Sequence, residues 1–187
     1  MDEQAQSPQI DEHGRPQPPQ EADEVATLLG FLDYQRATFE WKCRGLNDEQ
    51  LRIALTPTSM TLGGMLKHQA FNEDYWCTEV SDGRPRPEPW AGPESDADPD
   101  WDWHSAGADT GDELRSLWAE RVARSRDVVN GLLARGADDA LAEAHPAWNG
   151  QGRVSLRWVL VHLIEEYARH NGHADLIRES IDGETGE

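Results

Sequence analysis

The chain has very little lysine and cysteine and no long apolar run. Two lysines, Lys42 and Lys67, stand beside fifteen arginines, and the 17 basic side chains face 36 acidic ones, for a formal charge of -19. Such a surface repels phosphate backbones and anionic membranes, so neither is an expected partner. The two cysteines, Cys43 and Cys77, are too few for a disulfide scaffold and form no C-x-x-C pair. They read as small, partly buried helix residues. No segment approaches the roughly 18 uninterrupted apolar residues of a membrane span. The opening residues, MDEQAQSPQI, lack the basic start and apolar stretch of a secretory signal. The expected location is therefore the cytoplasm. Arginine in place of lysine, with abundant Ala, Gly, Asp and Trp, points to a high-GC genome.

A chain of 187 residues is long enough for one domain with a proper core. Residues 1–20 are rich in proline, glutamine and charge, and are expected to form a disordered N-terminal tail. The domain is expected over 21–182, with 183–187 as a short C-terminal tail. From Glu21 the apolar residues Val25, Leu28, Leu29, Leu32 and Phe39 recur at helical spacing, and Gly45 stops the helix. Asn47 and Gln50 form a capping box over a short helical turn that Pro57 closes. Ser59 or Thr61 opens a second long helix carrying Leu62, Met65, Leu66, Tyr75 and Trp76, which fades near Ser81-Asp82-Gly83.

Residues 84–110 hold five of the eleven prolines and many aspartates, the mark of a long acidic loop. Trp90, Trp101 and Trp103 pin that loop to the domain in part, since three solvated indoles would be adhesive. A third helix is expected from Gly111 to Ala134. A connection through His145, Pro146 and Trp148 leads to a fourth from Ser155 to about Ile181, ended by Gly183. No strand-like alternation persists, so the expected fold is an all-α four-helix bundle with a long loop between helices two and three.

The fourth helix carries V-H-L-I-E-E-Y-A-R-H-N-G-H. His162, Glu166 and His170 are four residues apart and share one face, drifting by about 40° per step, and His173 follows His170 by three. Neighbouring positions on one helix cannot surround an ion, so a further ligand must come from elsewhere. His68, on the stripe of Leu62 and Met65, is the candidate. Three donors of the His, His, Glu type leave a fourth tetrahedral position open, the usual form of a catalytic zinc site. Nickel, manganese or iron would also be accepted. The same spacing also fits histidines on an apolar face and a solvated Glu–His pair.

Three segments resemble the DinB superfamily, in its actinobacterial branch related to mycothiol-dependent enzymes. They are A-T-L-L-G-F-L-D-Y-Q-R-A-T-F-E-W-K-C-R-G-L-N-D-E-Q-L, S-M-T-L-G-G-M-L-K-H and W-V-L-V-H-L-I-E-E-Y-A-R-H-N-G-H-A-D-L-I-R-E. The likeness covers about residues 22–182. It implies a DinB-type four-helix bundle with a divalent metal, zinc above all, between helices two and four. The ligands it implies are His68, Glu166 and His170, with His170 preceding the Asn171-Gly172 pair. By that register His162 and His173 are not ligands but belong to the surrounding shell or pocket, or are ordinary helix residues. Arg169 pairs with Glu165, Arg178 serves the polar face, and Arg157 has a place near the bundle mouth where a substrate carboxylate would lie.

The activity that the resemblance implies is transfer of a low-molecular-weight thiol, mycothiol, to a small electrophile, by a monomer or homodimer. Two alternatives stay open. One is isomerisation or hydrolysis at the same metal; the other is a non-catalytic metal-binding stress-response protein.

Overall fold

The structure, a computed structural model, describes residues 9–147 and 152–186. It is mostly helical, and the only sheet among the described residues is two-stranded. Four long helices carry the core: α1 (Glu24–Cys43), α3 (Leu62–Glu73), α6 (Gly111–Leu133) and α8 (Leu156–Asp182). Short helices join them: α2 (Asp48–Leu51), α4 (Pro93–Ala97), α5 (Trp101–Ser105) and α7 (Ala137–Ala142).

Each long helix starts at a side chain that accepts a backbone N–H otherwise left without a partner. Asp23 accepts from Ala26, Thr61 from Gly64, Thr110 from Glu113 and Ser155 from Trp158. The first helix therefore begins at Glu24, three residues later than its apolar pattern suggests. The expected capping box of Asn47 and Gln50 is formed, and Gly183 ends α8 with φ of 81°. Packing runs α1 along α8 and α3 along α6, with α3 also against α8. Leu32, Phe39, Leu62, Met65, Leu66, Leu114, Val129, Leu160, Leu163 and Tyr167 lie inside.

Four departures from the sequence reading have local causes. The second long helix does not stay α-helical to Ser81, because Asp74–Ser81 is wound as a π-helix. Residues 84–110 contain α4, α5 and a 3-10 turn instead of plain loop. Residues Ala144–Pro146 and Arg153–Ser155 form an antiparallel pair of strands, β1 and β2, too short to leave an alternation in the sequence. Trp148 of that connection lies outside the described residues.

The fourth departure is at the N-terminus, where the described residues of the expected tail lie against α1. Arg15 is 3% exposed, is held by Asp11 at 2.7 Å, and covers the rings of Tyr34 and Trp41. His13 stacks on Trp41 at 3.8 Å. At the other end Glu184 meets the Trp41 indole N–H, and Lys42 donates to the carbonyl of Thr185. Composition could not show this docking, because it depends on one arginine and one histidine finding aromatic faces.

Candidate metal centre

Helix α8 places Glu166 and His170 one turn apart, and α3 brings His68 opposite them. Each of the three offers one donor atom, and these atoms all lie within 4.8 Å of one another. His170 Nε2 is 3.5 Å from Glu166 Oε2, and His68 Nε2 is 4.0 Å from the same oxygen. Donors on one tetrahedral ion with bonds of about 2.0–2.2 Å stand roughly 3.3–3.5 Å apart. The His170–Glu166 gap matches that spacing, the His68–Glu166 gap is about half an ångström wider, and both are long for direct hydrogen bonds. The side chains of His68 and Glu166 are 19% exposed and that of His170 is 8%, so the group is largely buried but not sealed from solvent. The residues present fit a divalent ion by donor chemistry and by spacing.

The electrostatics run the same way. The imidazoles of His170 and His68 hold the Glu166 carboxyl well below the usual carboxylate range, against the opposing pull of burial. Burial pulls His68 down, but its contacts with Asp102 and then Glu166 outweigh that and leave it above the ordinary imidazole value. The glutamate is thus an anion at any physiological pH.

The other histidines fall into place around this group. His162 Nε2 lies 3.9 Å from Glu166 Oε1, and its Nδ1 lies 3.5 Å from Glu165. Its ring stacks on Trp158 and meets the edge of Trp76. His162, Glu165 and Glu166 form a second set of close donors, all on one helix and with Glu165 exposed. His173 sits beside His170, with ring centroids 5.7 Å apart, and burial followed by His170 lowers its pKa.

The arginines divide. Arg169 pairs with Glu165 as its spacing suggests. Arg157 donates to both oxygens of Glu24, at 2.6 and 3.1 Å, and is taken up there instead of facing a substrate carboxylate. Arg178 pairs with Asp182 one turn on, at 2.9 Å, and with Glu184 at 2.6 Å, but it does more than that. It is 7% exposed and donates to the carbonyls of Lys42 and Arg44, closing the C-terminal end of α1.

Asp102 and Asn72 escaped the sequence reading of the site, and Trp103 entered it only as one of the tryptophans that pin the 84–110 segment to the domain. Asp102 Oδ2 is 2.6 Å from His68 Nδ1, the Trp103 ring stacks on His68 at 4.6 Å, and Asn72 Nδ2 is 3.1 Å from His68 Nε2. Asp102 and Trp103 arrive on α5. That segment is fastened by Lys67, whose ammonium meets Asp109 at 2.6 Å and lies over the Trp101 ring. Arg52 adds hydrogen bonds to the carbonyls of Gly107 and Asp109. Gly64 makes the approach of α5 feasible, since a Cβ there would stand 2.9 Å from Trp103 Cε3. The available signal was the W-D-W triplet, where an aspartate between two tryptophans is carried inward with them.

A helical protein holding a His, His, Glu donor set between two helices, not sealed from solvent, is the class that fold and site define. Within that class, the family model described as Mycothiol-S-transferase matches residues 27–183. The chain belongs to that family, a DinB-like family related to mycothiol-dependent enzymes. No curated protein matches it.

Proposed function

We propose that the chain is a metal-dependent transferase that joins the sulfur of mycothiol to a small electrophilic molecule. It does so as a DinB-type four-helix bundle of α1, α3, α6 and α8, over residues 21–182, with 84–110 as the acidic loop between the second and third helices of the bundle. The observation that carries the reading is the convergence of His68, Glu166 and His170 on a point not sealed from solvent in a member of this family. A divalent ion bound there, zinc by preference, lowers the pKa of a ligating thiol so that thiolate is available near neutral pH.

The protein's own groups do the rest. Glu166 would offset one of the two positive charges of a divalent ion, and His68 and His170 would supply neutral nitrogen donors. The Trp103 face beside His68 walls one side of the opening. The nucleophilic sulfur must come from outside, because Cys43 and Cys77 are 1% and 0% exposed and burial pushes both thiols up to about 12. A charge of -19 suits a small-molecule substrate better than a nucleic acid. No helix among the described residues is long and apolar enough to cross a membrane. We place the protein in the cytoplasm, as a monomer or homodimer.

Two measurements test this. Metal analysis of gently purified protein should give about one divalent ion per chain, and His68→Ala, Glu166→Ala and His170→Ala should each remove most of it. Mycothiol added to the cobalt-loaded protein should then produce a sulfur-to-cobalt charge-transfer band. Full occupancy in the triple variant would sink the ligand assignment. An occupied site whose spectrum ignores mycothiol would replace thiol transfer by hydrolysis or isomerisation.

A further inference from the structure

We propose that Asp102 is a positioning residue for this centre: it fixes the proton of His68 on Nδ1 and so presents the lone pair of Nε2 to Glu166 and His170. The inference rests on the metal reading above and deepens it.

The two ring nitrogens of His68 have different neighbours, and both impose the same tautomer. Asp102 Oδ2 lies 2.6 Å from Nδ1. An ionised carboxylate only accepts, so Nδ1 must carry the hydrogen. On the other edge, Nδ2 of Asn72 lies 3.1 Å from Nε2. An amide nitrogen only donates, so Nε2 must accept. Moving that proton from Nδ1 to Nε2 in the neutral ring would break both contacts at once. Nε2 is also the ring nitrogen 4.0 Å from Glu166 Oε2, so the unprotonated nitrogen is the one beside the other donors, and a bound ion would take the lone pair that Asn72 otherwise engages.

Asp102 is distinguished from the other acids of its segment by where it points. It is 7% exposed, whereas Asp98 is engaged with His104 at 2.7 Å. Its neighbour Trp103 lies across the face of the same imidazole, with an interplanar angle of 28°. A single short helix therefore controls both the edge and the face of His68 from outside α3. His170 has no such support among the described residues, where its buried Nδ1 has no hydrogen-bond partner. A metal-binding histidine normally donates its second N–H to a carboxylate or carbonyl, which orients the ring and strengthens it as a ligand. Here that support comes to one of the two histidines, and it comes from α5.

The test combines a tautomer measurement with a metal titration. Side-chain nitrogen NMR of the protein as purified, at about pH 8.5 and so above the ordinary imidazole range, should show a slowly exchanging Nδ1–H on His68. Asp102→Ala should abolish that signal, while Asp102→Asn, whose amide oxygen still accepts, should keep it. Cobalt affinity should fall by about 10- to 100-fold in Asp102→Ala, with Asp102→Asn between the two, and thermal unfolding separates this loss from loss of fold. A His68 protonated on Nε2, or wild-type affinity in a folded Asp102→Ala protein, overturns the proposal alone. If Asp102→Ala does not fold, the near-isosteric Asp102→Leu, which has no acceptor, decides, and wild-type affinity or a retained Nδ1–H signal there likewise overturns it. A wild-type protein that takes up no cobalt overturns the metal reading, and the role of Asp102 with it.

Discussion

Glu73 and Arg36 face each other through two hydrogen bonds, of 2.8 and 2.7 Å, with the glutamate 0% exposed. The Tyr167 hydroxyl donates to the same carboxylate at 2.8 Å, and the Trp118 indole donates to that hydroxyl at 2.9 Å. Arg36, Glu73, Trp118 and Tyr167 come one from each of α1, α3, α6 and α8. Tyr167 also directly follows Glu166. The polar chain through the core thus sets the register of α8 against α3 on which the spacing of Glu166 and His68 depends.

Removing one partner of this chain strands a buried charge, so Glu73→Ala should lower stability by about 3–5 kcal/mol. The paired replacement Arg36→Met with Glu73→Leu should cost less than Glu73→Ala alone, since neither charge is then left inside. Urea unfolding of the variants measures both, and a double variant no better than the single one would show that the pair is worth more than its desolvation.

Gly64→Ala should reduce metal affinity even though it lies outside the donor set. In an exposed helix alanine would gain up to about 1 kcal/mol over glycine. Here the new Cβ meets Trp103 at 2.9 Å, and Trp103 cannot retreat without leaving His68. The clash decides the sign. Isothermal titration with zinc checks it, and an unchanged affinity would mean that α5 shifts without cost to the site.

Cys43 and Cys77 should resist alkylation in the native protein at pH 8 and react once it is unfolded. Burial raises both thiols from the ordinary 9.0 to about 12, so each stays protonated while an unfolded thiol ionises. The native state then binds more protons than the unfolded one between those values, and stability should fall as pH rises through that window. Fast native labelling at either residue would contradict the burial.

Deleting residues 1–20 should lower the melting temperature by a few degrees. The deletion uncovers Trp41 and Tyr34 and removes the Arg15 and His13 contacts, worth about 1 kcal/mol or more in total. A scanning-calorimetry midpoint that does not move would restore the picture of a tail independent of the domain.

The long helices were legible because their cores repeat at helical spacing and some of their starts are read from single residues, as with Thr61 or Ser155. Helical spacing alone put His162, Glu166 and His170 on one face and offered His68 as a partner; it was the family resemblance that singled out His68, Glu166 and His170, whose donor atoms lie within 4.8 Å of one another. Asp102 was hidden among aspartates that look alike in a loop, and only the turn of α5 separates it from Asp98 and Asp100. The π-wound stretch after Glu73 was hidden for another reason: no residue type marks it, and its apolar residues also fit an α-helix. Arg178 gained a role and Arg157 changed its own because long cationic side chains find partners that no spacing rule names.

The stacking of Trp103 on His68 also furnishes an optical reporter. An indole 4.6 Å from an imidazole is quenched by a paramagnetic cation held on that ring, and Trp103 is the described tryptophan that stacks on His68. The difference in emission between the native protein and Trp103→Phe would therefore follow the loading of this one centre with cobalt or nickel, without a chromogenic chelator and without turnover.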